Sequence, residues 1–268
     1  MTPEVISIAL GLFVGLILAL TGAGGTILSI PLLVFFLGLG ISQAAPIGLF
    51  ALMLSAGVGA LIGLKNGLVR YKAVMLMAAC GICLAPIGVW LTHYLPANLL
   101  GILFAITLAY VAWSMWREPV PKVPFDCYQT TQPCQINPAT SKLFWTAPCT
   151  ARLALTGGIA GLLSGLLGVG GGFVIVPALR KVSNFNIETV IATSLAITAL
   201  VSASGFLSYA LHDSIDWTIA LPFAISTLVG MLISKLFTDK IPTSGKRRAF
   251  AALALIVAVA LVVKNATI

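Results

Sequence analysis

Two clusters of glycine are the residues whose type and spacing could do chemistry in this chain. Gly22-Ala23-Gly24-Gly25-Thr26 precedes an apolar run to Pro31, and Gly168-Val169-Gly170-Gly171-Gly172 precedes an apolar run to Pro177. Both interrupt stretches where a continuous helix would be the default. Glycine costs about 1 kcal/mol per residue in a helix interior, so three or four within five positions stop one. A helix stopped inside a bilayer leaves N–H and C=O groups open, which is tolerated only where protein or a water-lined cavity meets them. The helices restarting at Thr26 and Gly172 would present free N–H groups and about half a positive charge, an arrangement that favours anions. No Lys or Arg lies deep in an apolar stretch, so the backbone would have to supply the positive end. The competing reading is close helix packing without a ligand. It suits the small-xxx-small pairs Gly11/Gly15 and Gly157/Gly161 better than the clustered glycines.

Hydroxyls are the next candidates: Thr21, Thr26, Ser29 and Ser55, then Thr193, Ser194, Thr198 and Ser202. Ser194, Thr198 and Ser202 recur every four residues and share one helix face. That face either lines a pathway or spends its hydroxyls on carbonyls one turn back and on neighbouring helices. Gln43 and Asn66 flank one apolar segment and read as interfacial. His93 and His212 fall at the ends of spans.

The remaining chemistry is sparse. Cys80 and Cys83 have the spacing of a redox or metal pair, but no His or carboxylate is near, and they read as small apolar thiols. Cys127, Cys134 and Cys149, with six and then fourteen residues between them, fit no zinc pattern and read as free cytoplasmic thiols. The cysteine total of five is odd, and no disulfide framework follows. No Asp or Glu lies deep in a span to carry protons; Glu188, near a helix end, comes nearest. Without a nucleophile–base pair, a metal cluster or paired carboxylates, no catalytic residue, metal or cofactor is expected, and the chain does not read as an enzyme.

The elements that must position these groups are membrane spans. The chain is 59% hydrophobic and 8% charged over 268 residues, and its mean hydropathy is +1.09. Soluble domains carry about 25% charged residues. Apolar runs long enough to cross a bilayer recur throughout, without the alternation of a β-barrel. The net charge of +8 sits between these runs, where topology explains it, so nucleic acid is not a partner. The start, Met1-Thr2-Pro3-Glu4, carries no basic region that would mark a removable signal.

A shift of 146 positions lays the second half on the first: Gly11 on Gly157, Gly15 on Gly161, Gly22 on Gly168, Pro31 on Pro177, Ile41 on Ile187, Gly59 on Gly205, Pro96 on Pro242. Helices are predicted at about 5–21, 26–38, 43–64, 71–92 and 97–116, then 153–167, 172–182, 187–210, 217–236 and 247–263. Residues 1–116 form a first transmembrane repeat, 117–152 a linker loop, and 153–268 a second repeat. Segment 26–38 covers only about 20 Å of a roughly 30 Å core, so each glycine break joins a re-entrant pair or two short tilted spans.

Lys65, Arg70 and Lys72 follow the third segment, whereas its counterpart is followed by His212, Asp213 and Asp216. The positive-inside rule puts the first loop in the cytoplasm and the second outside, which inverts the halves. Propagated along the chain, this places every Lys and Arg except Lys264 inside, the linker loop in the cytoplasm and both termini outside. A mere kink at each break would make the halves parallel and spoil this pattern. The expected fold is an all-α polytopic membrane protein of two inverted-topology repeats, each of about five helical segments and each opening with a glycine-rich broken or re-entrant helix pair. Inverted repeats with discontinuous helices are characteristic of secondary transporters, which bind substrate near the midplane.

The twin glycine motifs, each followed by an apolar run and a proline, resemble those of the TauE/SafE family of sulfite exporters and related permeases, over nearly the whole chain. The resemblance implies an inner-membrane transporter of sulfite, organosulfonates or other small sulfur-containing or carboxylate anions. The expected function is a secondary transporter that exports the anion by alternating access, driven by potential and gradient. The alternative is an uptake permease or channel for thiosulfate, sulfonate or small carboxylate anions, with an embedded enzyme or an assembly subunit less favoured. Thr26, where the second half has Gly172, departs from strict symmetry and makes the half-sites unequal. The expected substrate-binding set is Gly22, Gly24, Gly25, Thr26, Gly168, Gly170, Gly171, Gly172, Ser194 and Thr198. The expected partners are a small anionic substrate and the lipid bilayer, and an oligomer is compatible with the sequence.

Overall fold

The computed structural model describes residues 3–21, 26–117, 134, 146–183, 186–212, 215–237, 252, 255–258 and 260. These form nine named helices: α1 Pro3–Thr21, α2 Thr26–Phe36, α3 Ile41–Lys65, α4 Tyr71–Tyr94, α5 Ala97–Arg117, α6 Ala147–Leu167, α7 Gly172–Val182, α8 Ile187–His212 and α9 Trp217–Phe237. Five of them, α3, α4, α6, α8 and the stretch Trp217–Ser234 of α9, are long and apolar enough to cross a bilayer. Helix α7, with 11 residues, reaches only about 16 Å and cannot cross alone. The outer faces carry Met75, Ile106, Leu207 and Ile225, all exposed. A belt of large apolar side chains pointing outward suits lipid rather than water.

Predicted and observed boundaries differ most at α6. It begins at Ala147, not 153, so the last six positions of the expected 117–152 loop are helical. Thr146 is extended and Pro148 presets the first turn. Burial of Cys149 and Leu153 then repays the extra turn. The tenth expected segment, 247–263, lies mostly outside the described residues.

Glycine sets the packing. Helix α4 packs chiefly on α6 and α1 chiefly on α9. On α6, Gly157, Gly161 and Gly165 meet the carbonyls of Met77, Gly81 and Ala85 in α4, with no room for a β-carbon. On α1, Gly11 and Gly15 meet the carbonyls of Phe223 and Thr227 in α9, and Gly230 meets that of Leu12. In lipid, where apolar burial drives little association, such close backbone approach is what holds helices together. Between these pairs α3 and α8 cross in opposite directions. Gly63 abuts Ala192 and Gly59 abuts Leu195, while Gly205 abuts Leu49. Helix α2 rests on α3, and α7 on α8.

The expected free thiols of the loop are corrected at two positions: Cys134 and Cys149 form a disulfide. The Cys134 N–H donates to Val182 O at 3.1 Å, laying Cys134 against the end of α7. Cys149 sits in the first turn of α6, and the two Cα atoms lie 5.2 Å apart, within bridging range. Spacing in sequence carries no trace of this approach, because α7 creates it. Cys127 lies outside the described residues. Cys80 and Cys83 are free thiols along an apolar groove of about 630 Å³ between α4 and α6.

Candidate functional site

Helix α6 ends at Gly168, whose φ of 70° lets its N–H close on Ser164 O at 2.8 Å. This left-handed glycine is a common helix terminator. Gly170 and Gly171 follow at φ 71° and 69°, a conformation that side chains with a β-carbon rarely take. Gly171 caps α7 without any side-chain hydrogen bond. Its carbonyl receives Val174 N at 3.0 Å and Ile175 N at 3.3 Å, so the N–H groups of Gly172 and Phe173 are those that helix geometry leaves open. The second glycine cluster is therefore a true break, with the N-terminus of α7 bare of capping side chains.

Its surroundings come from four helices. Gly168 is wedged against Ala45 of α3 and Ile30 of α2, and Gly171 against Ala160 of α6. A β-carbon on Gly170 would lie 2.7 Å from Ser202 Oγ, 2.9 Å from Leu52 Cδ1 and 3.1 Å from Thr198 Cγ2. Thr198 lies near the middle of the 26-residue α8, and Leu52 near the middle of the 25-residue α3. The bend thus sits about halfway along the two central spans. Thr198 and Ser202 are fully buried, and neither hydroxyl has a hydrogen-bond partner among the described residues. Leaving a buried hydroxyl unpaired costs about 1–3 kcal/mol. Two of them beside an open helix N-terminus make a neutral donor set suited to an anion.

The carbonyl end of α6 is treated in the opposite way. Tyr209, fully buried on α8, donates to Gly165 O at 3.0 Å. Thr92 of α4 donates to Leu166 O at 3.1 Å. The negative end of one half-helix is met by protein hydroxyls, whereas the cap residue of the other brings no side-chain hydrogen bond to its positive end. Neither Tyr209 nor Thr92 stands out in the sequence. The only signal is that a buried tyrosine needs a partner for its hydroxyl.

Of the expected site residues, Gly168, Gly170, Gly171, Gly172 and Thr198 are brought together here. Ser202, from the same predicted helix face, joins them. Ser194 is buried, but its hydroxyl donates to Ile191 O at 2.8 Å within its own helix. Ser55 likewise donates to Ala51 O at 2.6 Å, and Thr193 accepts from Arg70 N at 3.3 Å. Thr26 opens α2. Gly22, Gly24 and Gly25 lie outside the described residues. Ser164 of α6, which the sequence did not single out, is likewise fully buried and without a partner for its hydroxyl among the described residues.

Comparison with known proteins gives the arrangement a family. The model of the family "Sulfite exporter TauE/SafE" matches residues 7–261. A "Probable membrane transporter protein" of Xylella fastidiosa (strain 9a5c) is 28% identical over 242 residues, covering 90% of this chain and 87% of that protein. The "Probable membrane transporter protein YunE" of Bacillus subtilis (strain 168) is 25% identical over 250 residues, with 89% and 90% covered. A polytopic helical chain with this match along almost its full length belongs to the TauE/SafE sulfite exporter family of membrane transporters.

Proposed function

We propose that the chain is a secondary carrier that moves a small anion, sulfite or a related sulfur oxyanion, outward across the inner membrane by alternating access. The observation that carries this reading is the pair of buried, unpartnered hydroxyls of Thr198 and Ser202 over Gly170, halfway along the central spans. Sulfite is taken from the name of the family matched. The donors at the break suit any small oxyanion.

The carrier mechanism needs two halves that can exchange roles. Under the 146-position shift, α1 becomes α6, α3 becomes α8 and α4 becomes α9, and the packing pairs exchange: α1 on α9 becomes α6 on α4. The contacts exchange residue by residue as well. Gly11 on the Phe223 carbonyl becomes Gly157 on that of Met77, and Gly15 on Thr227 becomes Gly161 on Gly81. Because α3 and α8 occupy equivalent places and run in opposite directions, the halves read as inverted. Lys65, Arg70, Lys72, Arg152, Arg180 and Lys181 cluster at the junctions expected inside. His93 and His212, with ring centroids 6.4 Å apart, mark the opposite face. The positive-inside rule then puts the linker loop in the cytoplasm and the termini outside, whereas the Cys134–Cys149 disulfide is a bond of oxidising compartments and argues for the opposite face.

The test is flux into proteoliposomes of sulfite, sulfate, thiosulfate, methanesulfonate and acetate, for the wild type and for Thr198→Val and Ser202→Ala. Saturable flux of at least one anion is expected. Its KM should rise about tenfold in each variant, the loss of one hydrogen bond to a charged group. Flux that is absent for all five anions, or unaltered in both variants, overturns the reading.

A further inference from the structure

Ser164 is the unexplained hydroxyl. It is fully buried on α6, its Oγ has no partner among the described residues, and its carbonyl accepts the N–H of Gly168. Ala160, one turn earlier on the same helix face, abuts Gly171. Residues four apart on a helix lie one above the other, which puts Ser164 on the face of α6 that meets the break at Ala160. Thr198 and Ser202 look onto the break from α8.

The other half of the molecule says what these positions are for. Shifted back by 146, Ser164, Thr198 and Ser202 fall on Leu18, Leu52 and Ala56. Those three are fully buried together in one apolar cluster with Leu195 and Met231. The fold therefore fills this place with hydrocarbon in one half and is content. In the other half all three positions carry hydroxyls, and none of the three finds a partner among the described residues. Packing alone does not call for three unpaired donors where leucine and alanine serve.

We infer that Ser164 is the third hydroxyl of the anion site in the second half of the chain and a specificity-determining residue. The inference rests on the anion reading above. Hydroxyls on two helices together with the N–H groups of α7 converge from different sides. They match a head whose three oxygens point outward, as in sulfite or a sulfonate. A carboxylate keeps its two oxygens in one plane and has no third oxygen to turn toward α6 while it meets the α8 pair and the amides.

The experiment is uptake of labelled sulfite by the full chain in proteoliposomes, competed by methanesulfonate or acetate, for the wild type, Ser164→Ala, Ser164→Thr, Leu18→Ala and Thr198→Val. In Ser164→Ala the sulfite KM and the methanesulfonate Ki should rise about tenfold with Vmax unchanged. The acetate Ki should change by less than about twofold. Ser164→Thr, which keeps the hydroxyl, should restore sulfite KM, and Leu18→Ala should leave it unmoved. A sulfite KM unmoved in Ser164→Ala but raised in Thr198→Val overturns this inference and leaves the site standing. So does an acetate Ki that rises in parallel with the sulfite KM. Sulfite flux that is missing, or insensitive to both substitutions, overturns the site itself.

Discussion

Gly170 is held by conformation and by space at once: its φ is positive, and Ser202, Leu52 and Thr198 close around it. Gly170→Ala is expected to reduce flux at least tenfold, since the added methyl both strains the backbone and displaces the Ser202 hydroxyl. Gly57 has open space around it, so Gly57→Ala should leave flux unchanged. Flux measured against the amount of inserted, monodisperse protein checks both. At this scale the sequence was readable where a pattern existed. Glycines clustered in an apolar run announced the break, and a four-residue rhythm of hydroxyls announced the α8 face. It could not tell Thr198 from Ser194, because only the fold shows that Ser194 turns back on Ile191 O. Ser164 was hidden as one hydroxyl in a run of glycine and leucine, with no companion at helical spacing.

Helices α6 and α7 form a hairpin whose two feet are fastened by Cys134. Its sulfur bonds Cys149 in the first turn of α6, and its N–H bonds Val182 O at the end of α7. The bridge closes a sequence separation of 15, for which loop-closure entropy gives about 3 kcal/mol. Reduction, or a Cys134→Ser/Cys149→Ser pair, is expected to lower the melting temperature in detergent by several degrees. A thermal melt with and without reductant reads this directly, with Cys80→Ser as the control that changes nothing. Element positions followed well from the apolar periods and from Gly and Pro punctuation. The start of α6 did not, because Thr146 and Pro148 sit in a polar, proline-rich stretch that resembles loop. The disulfide is a contact between segments distant in sequence, and no local signal encodes it.

At the scale of the whole molecule, the proposed anion carrier would draw its driving force from the membrane potential. With the cell interior negative, each anionic charge leaving gains about 2.3 kcal/mol per 100 mV. In proteoliposomes with a clamped potassium potential, efflux of a monovalent anion should rise with a more negative interior and be indifferent to a pH gradient of equal size. Flux that follows pH and ignores voltage would instead point to proton coupling. For the proposed carrier, the engagement of Gly165 O by Tyr209 and of Leu166 O by Thr92 bears on what would pass. A cation shedding its hydration shell is taken in by carbonyl oxygens, and each of these two already gives one of its two lone pairs to a protein hydroxyl. In the proposed carrier, such a doorway would favour anions by sign before size comes into question.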